Sequence, residues 1–363
     1  MAQVGRLSNR GPLPKGGGNY MKIPEPINSL SALIDKAHED RQEPPRPHLG
    51  ASTLGHPCDR WLWLSFRWAV VEKFQGRVLR LFRRGQNEEA QIVSDLRSIG
   101  INIVSTGGAQ SRVDFGCHVS GSLDGVITHG VPEAPAKKHI AEFKTHSKKS
   151  FDDLVKSGVK ASKPMHYIQM QAYMMGKKID RALYVGVCKD DDRIYTERVR
   201  LDNAVAEKAV SRGKRITMLD RMPEPCAGAA PDWYQCKFCP AHSFCHDTKL
   251  TKEVNCRTCA HSTATPDSKW TCARYDNLEL EVQNQRTGCN AHVLHPDLVP
   301  WQRVDSESLH DATYIIDGKS VNNGVADCNC FSSKEMVANP SACANPTQAI
   351  IDTRMEFDAR IVG

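Results

Sequence analysis

The stretch HIAEFKTHSKKSF, running from His139 to Phe151, opens with the alternation of a β-strand and then turns basic. A period of two places Ile140, Glu142 and Lys144 on the same face. A carboxylate and an ammonium thus stand side by side next to an apolar residue. On a sheet edge this would be a surface ion pair, common and worth little. Next to other acids it would instead be the centre of a cation-dependent site.

The segment before it supplies such an acid. SGSLDGVI reads as a strand in which Ser122, Asp124 and Val126 share a face, although Asp-Gly is also a turn dipeptide. The polar, proline-bearing THGVPEAPAKK then forms the return loop, making the two strands antiparallel neighbours. Carboxylates held close together repel unless a hard divalent cation bridges them, and Mg²⁺ prefers oxygen ligands. A lysine two positions on can orient or help deprotonate a water and can stabilise charge building on a phosphate. Further upstream, a helix is expected over 78–98, closed by Gly100. Val78, Phe82, Gly85, Glu89, Ile92, Val93 and Leu96 fall on one stripe. Glu89 sits at its centre, where a carboxylate is costly without a metal ion or a cation to compensate it.

The chain has 363 residues, 40% of them hydrophobic, which suits a globular domain plus smaller modules. No window approaches the roughly 18 apolar residues of a membrane helix. The N-terminus lacks a signal peptide's apolar core. A cytoplasmic protein, in a bacterial or phage-infected cell, is expected. The net charge of +6 is mild but uneven. Arg77, Arg80, Arg83 and Arg84, and the run from Lys148 and Lys149 to Lys163, are candidate contacts to a phosphate backbone.

Residues 1–45 read as a mostly flexible arm rich in Gly, Pro and charge. Residues 46–222 alternate helices and strands, which argues for one α/β layered domain. A helix is expected around PMHYIQMQAYMMG, strands at RALYVGVC and RIYTERVRL, and a helix at NAVAEKAVSRGKRITML. Two cysteine-rich modules follow at 223–250 and 251–300, then a small β-rich region at 301–363.

Fourteen cysteines without a secretion signal point to metal rather than disulfides. WYQCKFCPAHSFCH contains C-x2-C-x5-C, formed by Cys236, Cys239 and Cys245. Cys226, His246 or the distant Cys58 could complete the set, for an iron–sulfur cluster or for zinc. Cys256, Cys259, Cys272 and Cys289 give C-x2-C-x12-C-x16-C, with His292 close behind, a zinc-ribbon-like spacing. Cys117 and Cys188 lie in strand-like text and read as buried thiols. Cys328, Cys330 and Cys343 are too sparse to assign.

The motifs together resemble the PD-(D/E)XK nuclease superfamily over roughly 52–200. GSLDGVI…AEFKT resembles its D…(D/E)xK core, with Leu123 where the family's name has proline. QMQAY, with Gln169 and Tyr173, is similar to the QxxxY motif of the RecB-like branch, which includes phage exonucleases. RRGQNEEA is similar to the helix that brings an acid, here Glu89, to the metal. The resemblance implies a restriction-endonuclease-like mixed sheet flanked by helices. It implies Mg²⁺ or Mn²⁺ on Glu89, Asp124 and Glu142, with Lys144 assisting hydrolysis and Gln169 and Tyr173 associated with the site. AddB-like relatives place one cysteine before the core and three after it around a [4Fe–4S] cluster, which implies Cys58 with Cys236, Cys239 and Cys245. The expected activity is that of a DNA exonuclease in recombination, repair or phage DNA metabolism, with DNA as substrate and a recombination or replication protein as partner. The alternative is a catalytically silent, metal-stapled DNA-binding or redox-sensing protein.

Overall fold

A computed structural model of the chain describes residues 29–305, 310–327 and 329–362. Residues 1–28 of the expected arm, and Cys328, lie outside the described residues. The described part of the arm is not simply extended. Leu30–Glu39 form helix α1, capped by the Ser29 hydroxyl, which accepts from Ala32 N at 3.2 Å. It docks on α3, Gly76–Ser98, whose first amide donates to the Glu39 carboxylate at 2.8 Å. A side chain at position 76 would strike the Asp35 backbone, so the glycine admits this close approach.

The remaining elements of the α/β part, in chain order, are as follows. Strand β1 is Leu49–Gly50 and helix α2 is Asp59–Phe66. Strands β2 to β6 are Asn102–Val104, Arg112–Gly116, Val119–Ser122, Gly125–His129 and His139–His146. Helices α4 and α5 are Lys148–Ser162 and Pro164–Lys177. Strands β7 and β8 are Arg181–Cys188 and Ile194–Arg200, and helix α6 is Asn203–Thr217.

The central sheet has five strands in the order β2-β5-β6-β7-β8. β6 and β7 are parallel, with Glu142 opposite Tyr184, while the other pairs are antiparallel. A parallel pair needs a crossover, and α4 and α5 supply it. β6 and β7 are buried along nearly their whole length, as strands covered on both faces must be. Ile140 and Tyr184 face a core with Trp63, Met170 and Tyr173. Phe143 and Val185 face the other way, toward Ile92 and Val93 of α3.

SGSLDGVI is not one strand. β4 ends at Ser122 and pairs with β1 and β3 in a separate three-stranded sheet. β5 begins at Gly125 in the central sheet, so Asp124 lies at the crossing between the two. Cys117 is half-buried in the β3–β4 turn at φ 48°, not in a strand, whereas Cys188 is fully buried at the end of β7.

The cysteine-rich segments add no core of their own. Ala241, Phe244, Trp270 and Leu298 join the core that contains Trp63 and Met170. The C-terminal region does have one, built on Tyr314, Ile316, Val321 and Met336 together with Val293 and Leu294. It is as helical as it is β: Ser333–Ala338, Pro340–Ala344 and Gln348–Phe357 are helices beside its four-stranded sheet. Cys343 is buried there. No helix among the described residues is long and apolar enough to cross a membrane.

Candidate active site and cysteine clusters

β5 starts at Gly125 opposite Ala141, so no β5 residue stands opposite Phe143. The Asp124 carboxylate fills that place and accepts from Phe143 N at 2.8 Å. The ladder's end therefore aims Asp124 at the side chains of β6. Lys144 Nζ lies 2.5 Å from Glu142 Oε1 and 3.5 Å from Asp124 Oδ2, and also donates to the Phe143 carbonyl at 3.0 Å. One ammonium thus joins a carboxylate of β6 to one at the β4–β5 crossing.

α5 carries His166, Gln169 and Tyr173 on one face. Gln169 Nε2 donates to Glu142 Oε2 at 3.2 Å, so both oxygens of this fully buried carboxylate are engaged. Tyr173 is 2% exposed and donates to the Ser122 carbonyl at 2.8 Å. It holds the turn that presents Asp124. A Cβ at Gly121 would sit 2.5 Å from the Tyr173 hydroxyl, so glycine there makes room for this brace.

Burial pushes Glu142 up to about 8, with Lys144 opposing and Asp124 and Glu89 adding to the rise. Glu89, from α3, rises to about 7 through burial and the nearby Asp124 charge, against Lys144. Burial works against the Lys144 ammonium, but Glu142 and Asp124 outweigh it and hold the amine protonated. The three acids sense one another. Together with Arg46, Phe82, Gln86 and Lys189, Glu89 and Lys144 line a cleft of about 550 Å³.

Sequence reasoning missed a polar chain beside the site. Tyr184 OH is 2.8 Å from His146 Nε2 and 3.0 Å from His166 Nδ1. Burial and the adjacent Lys144 and Lys163 hold His146 down at about 4 and His166 at about 3, so both rings are neutral at physiological pH. The position of His146 on the Glu142–Lys144 face, two residues on, was the available signal.

The expected phosphate contacts fare unevenly. Arg80 is ion-paired with Asp35 of α1. Arg84 donates to the Lys189 carbonyl at 2.7 Å, and Lys148 lies 3.5 Å from Asp152 and 3.6 Å from Asp191. Arg77 and Lys149 are exposed. Phe82, expected on a core-facing stripe, is 45% exposed at the cleft.

Cys58, Cys236, Cys239 and Cys245 line one small cavity of about 30 Å³, with Cys226 as a fifth thiol. Burial, then the neighbouring Cys58, pushes Cys226 up to about 11; burial does the same to Cys239, with Cys245, Cys58 and Cys236 adding to it. Burial raises Cys256 to about 12 and Cys259 to about 11, and each feels Cys272 and Cys289. His292 is bonded to Ser333 Oγ at 2.8 Å and the Asn255 carbonyl at 3.0 Å, a structural role. As the side chains stand, no three His, Cys, Asp or Glu among the described residues are close enough to hold a metal ion. The sequence-expected groups are gathered, but as free thiols and a lysine-bridged carboxylate pair.

No protein-family model and no curated protein matches the chain. Three solved structures are similar to it in part. The protein SSO0001 is 15% identical with TM-score 0.38, over 60% of this chain and 96% of that chain. LHK-Exo in complex with dAMP is 15% identical with TM-score 0.36, over 51% and 89%. An alkaline exonuclease (LHK-Exo) from Laribacter hongkongensis is 17% identical with TM-score 0.33, over 47% and 87%. Likeness at this level decides neither fold nor activity.

Proposed function

We propose that this chain is a divalent-metal-dependent deoxyribonuclease of the restriction-endonuclease-like type, acting as an exonuclease at DNA ends. The observation that carries this is the Lys144 ammonium set between Glu142 and Asp124, with Glu89 facing them across a cleft. All the acidic donors are oxygens, which suits Mg²⁺ or Mn²⁺. Glu89, Asp124 and Glu142 would hold the ion. It would polarise the scissile phosphate and make bound water a nucleophile near neutral pH.

The chain's own groups do the rest. Gln169 fixes the Glu142 carboxylate, and Asp124 is fixed by Phe143 N. Lys144 presents its protons to a phosphate oxygen as negative charge grows there. Water attacks phosphorus in line, the bond to the 3′ oxygen breaks, and a 5′-phosphate and a 3′-hydroxyl remain.

The thiols of Cys58, Cys236, Cys239 and Cys245 would hold a [4Fe–4S] cluster or Zn²⁺, and those of Cys256, Cys259, Cys272 and Cys289 would hold Zn²⁺. The apolar lining and the mutual proximity of the thiols support this. Recombination, repair or phage DNA metabolism is the setting the motif resemblance supports. The experiment is digestion of end-labelled DNA with Mg²⁺ or Mn²⁺. Wild type digests, while Glu142→Ala and Lys144→Ala fail; equal digestion by all three would end this reading. The alternative reading is a silent DNA-binding protein. Binding without turnover by the wild type would establish that instead.

A further inference from the structure

A second cleft, of about 690 Å³, lies between α1, residues 41–53 and the start of α3. It shares Arg46, Phe82 and Gln86 with the catalytic cleft, so the two are continuous. Its lining combines cations and aromatic rings. Arg41, Arg46 and Arg83 are exposed along it, opposed only by the rim acids Glu43 and Glu72. Arg46 and Arg83 have no ion-pair partner among the described residues. Phe82 is 45% exposed and meets Phe74 edge to face, with ring centroids 4.9 Å apart.

The walls are rigid. The Arg46 carbonyl accepts from the Trp68 indole at 2.9 Å, and the Phe74 amide donates to Gln42 at 2.9 Å. From the cysteine-rich part, Arg257 Nη2 donates to the Pro47 carbonyl at 2.9 Å and Arg286 Nη2 to the Pro45 carbonyl at 3.0 Å. Three side chains and one backbone amide from elsewhere in the chain thus hold residues 42–47 in place.

We propose that this second cleft is the track for one unpaired DNA strand leading to or from the catalytic cleft, with the Phe82 ring stacking on a base and Arg46 and Arg83 on the flanking phosphates. The inference rests on the nuclease reading and specifies its substrate. Arginines suit a phosphate backbone. A partly exposed aromatic ring suits an unpaired base, because bases in a duplex are already stacked on each other and offer only their edges.

The test uses the full-length protein, reconstituted with its metals, in Ca²⁺ to suppress turnover. Binding to a labelled 20-mer of dT and to a blunt 20-base-pair duplex is read by fluorescence anisotropy. Phe82→Leu keeps an apolar side chain but removes the ring, and Phe82→Tyr restores a ring. Single-strand affinity is expected to fall about tenfold in Phe82→Leu and to return to within about twofold in Phe82→Tyr, with duplex affinity unmoved. The double variant Arg46→Ala/Arg83→Ala should flatten the single-strand salt dependence by about 1.4 in slope. Unchanged single-strand binding in Phe82→Leu, or an equal loss on duplex, overturns the track. A separate arm measures digestion by wild type and Glu142→Ala in Mg²⁺. Loss of the track with digestion intact leaves the nuclease reading standing, and the converse result leaves the track without its enzyme.

Discussion

The side-chain amide of Gln169 donates to Glu142 at 3.2 Å, opposite the oxygen that Lys144 holds at 2.5 Å. α5 and β6 thereby fix one buried carboxylate from two directions. Gln169→Ala leaves an oxygen of Glu142 unsatisfied in the core, at a cost of about 1–3 kcal/mol. It should lower both the melting temperature and the rate of DNA digestion. Gln169→Glu places a second acid against Glu142 and should be worse on both counts. Melting curves and initial rates on the same preparations check this.

Glu142 is raised to about 8 and Glu89 to about 7, so the metal-free protein binds more protons than its unfolded chain between about pH 4.5 and those values. Its stability is fully present below that window and is lost as pH rises through it. A dication would reverse the trend, since it binds the ionised carboxylates. The rise in melting temperature on adding Mn²⁺ should therefore grow from pH 5.5 to pH 8. A Mn²⁺ effect of the same size across that range contradicts the shared carboxylate site.

Arg257 follows Cys256 directly, stacks on Trp68 at 3.7 Å and donates to the Pro47 and Phe66 carbonyls at 2.9 and 2.8 Å. The second cysteine group is thereby tied to the wall of the long cleft. If the second cysteine group holds zinc, removing it with a strong chelator should raise amide exchange at Arg46 and His48 as well as in 255–290. Exchange confined to the cysteine-rich segment would show that the two are uncoupled.

Cys58 and Cys226 are neighbouring thiols in a five-thiol cavity. If Cys58 is the cluster ligand, Cys58→Ser should abolish absorption near 400 nm in anaerobically purified protein. Cys226→Ser should retain it. The reverse pattern would move the fourth ligand to Cys226.

Much of this was readable from local pattern. Glu142 and Lys144 share a face because a strand alternates, and β5 and β6 are antiparallel as the short polar loop requires. Asp124 was placed in the right neighbourhood for the wrong reason. Its Asp-Gly dipeptide marks the crossing between two sheets, and only the pairing of β4 with β1 reveals it. The cleft walls were illegible. Residues 29–45 look like an arm by composition, and their fixation comes from distant partners: Gly76 N on Glu39, Phe74 N on Gln42 and, more than two hundred residues later in the chain, Arg286 on the Pro45 carbonyl. Phe82 obeys the core-facing period of α3 but falls beyond the sheet it would cover, and so reaches the surface.

The most direct measurement is calorimetric titration of Mn²⁺ into the wild type and into Glu142→Gln at pH 8. The substitution removes the charge of Glu142 while keeping its shape. Saturable binding by the wild type, weakened at least about tenfold in the variant, is the expected result. Identical titrations would mean that Glu89, Asp124 and Glu142 hold no ion in common.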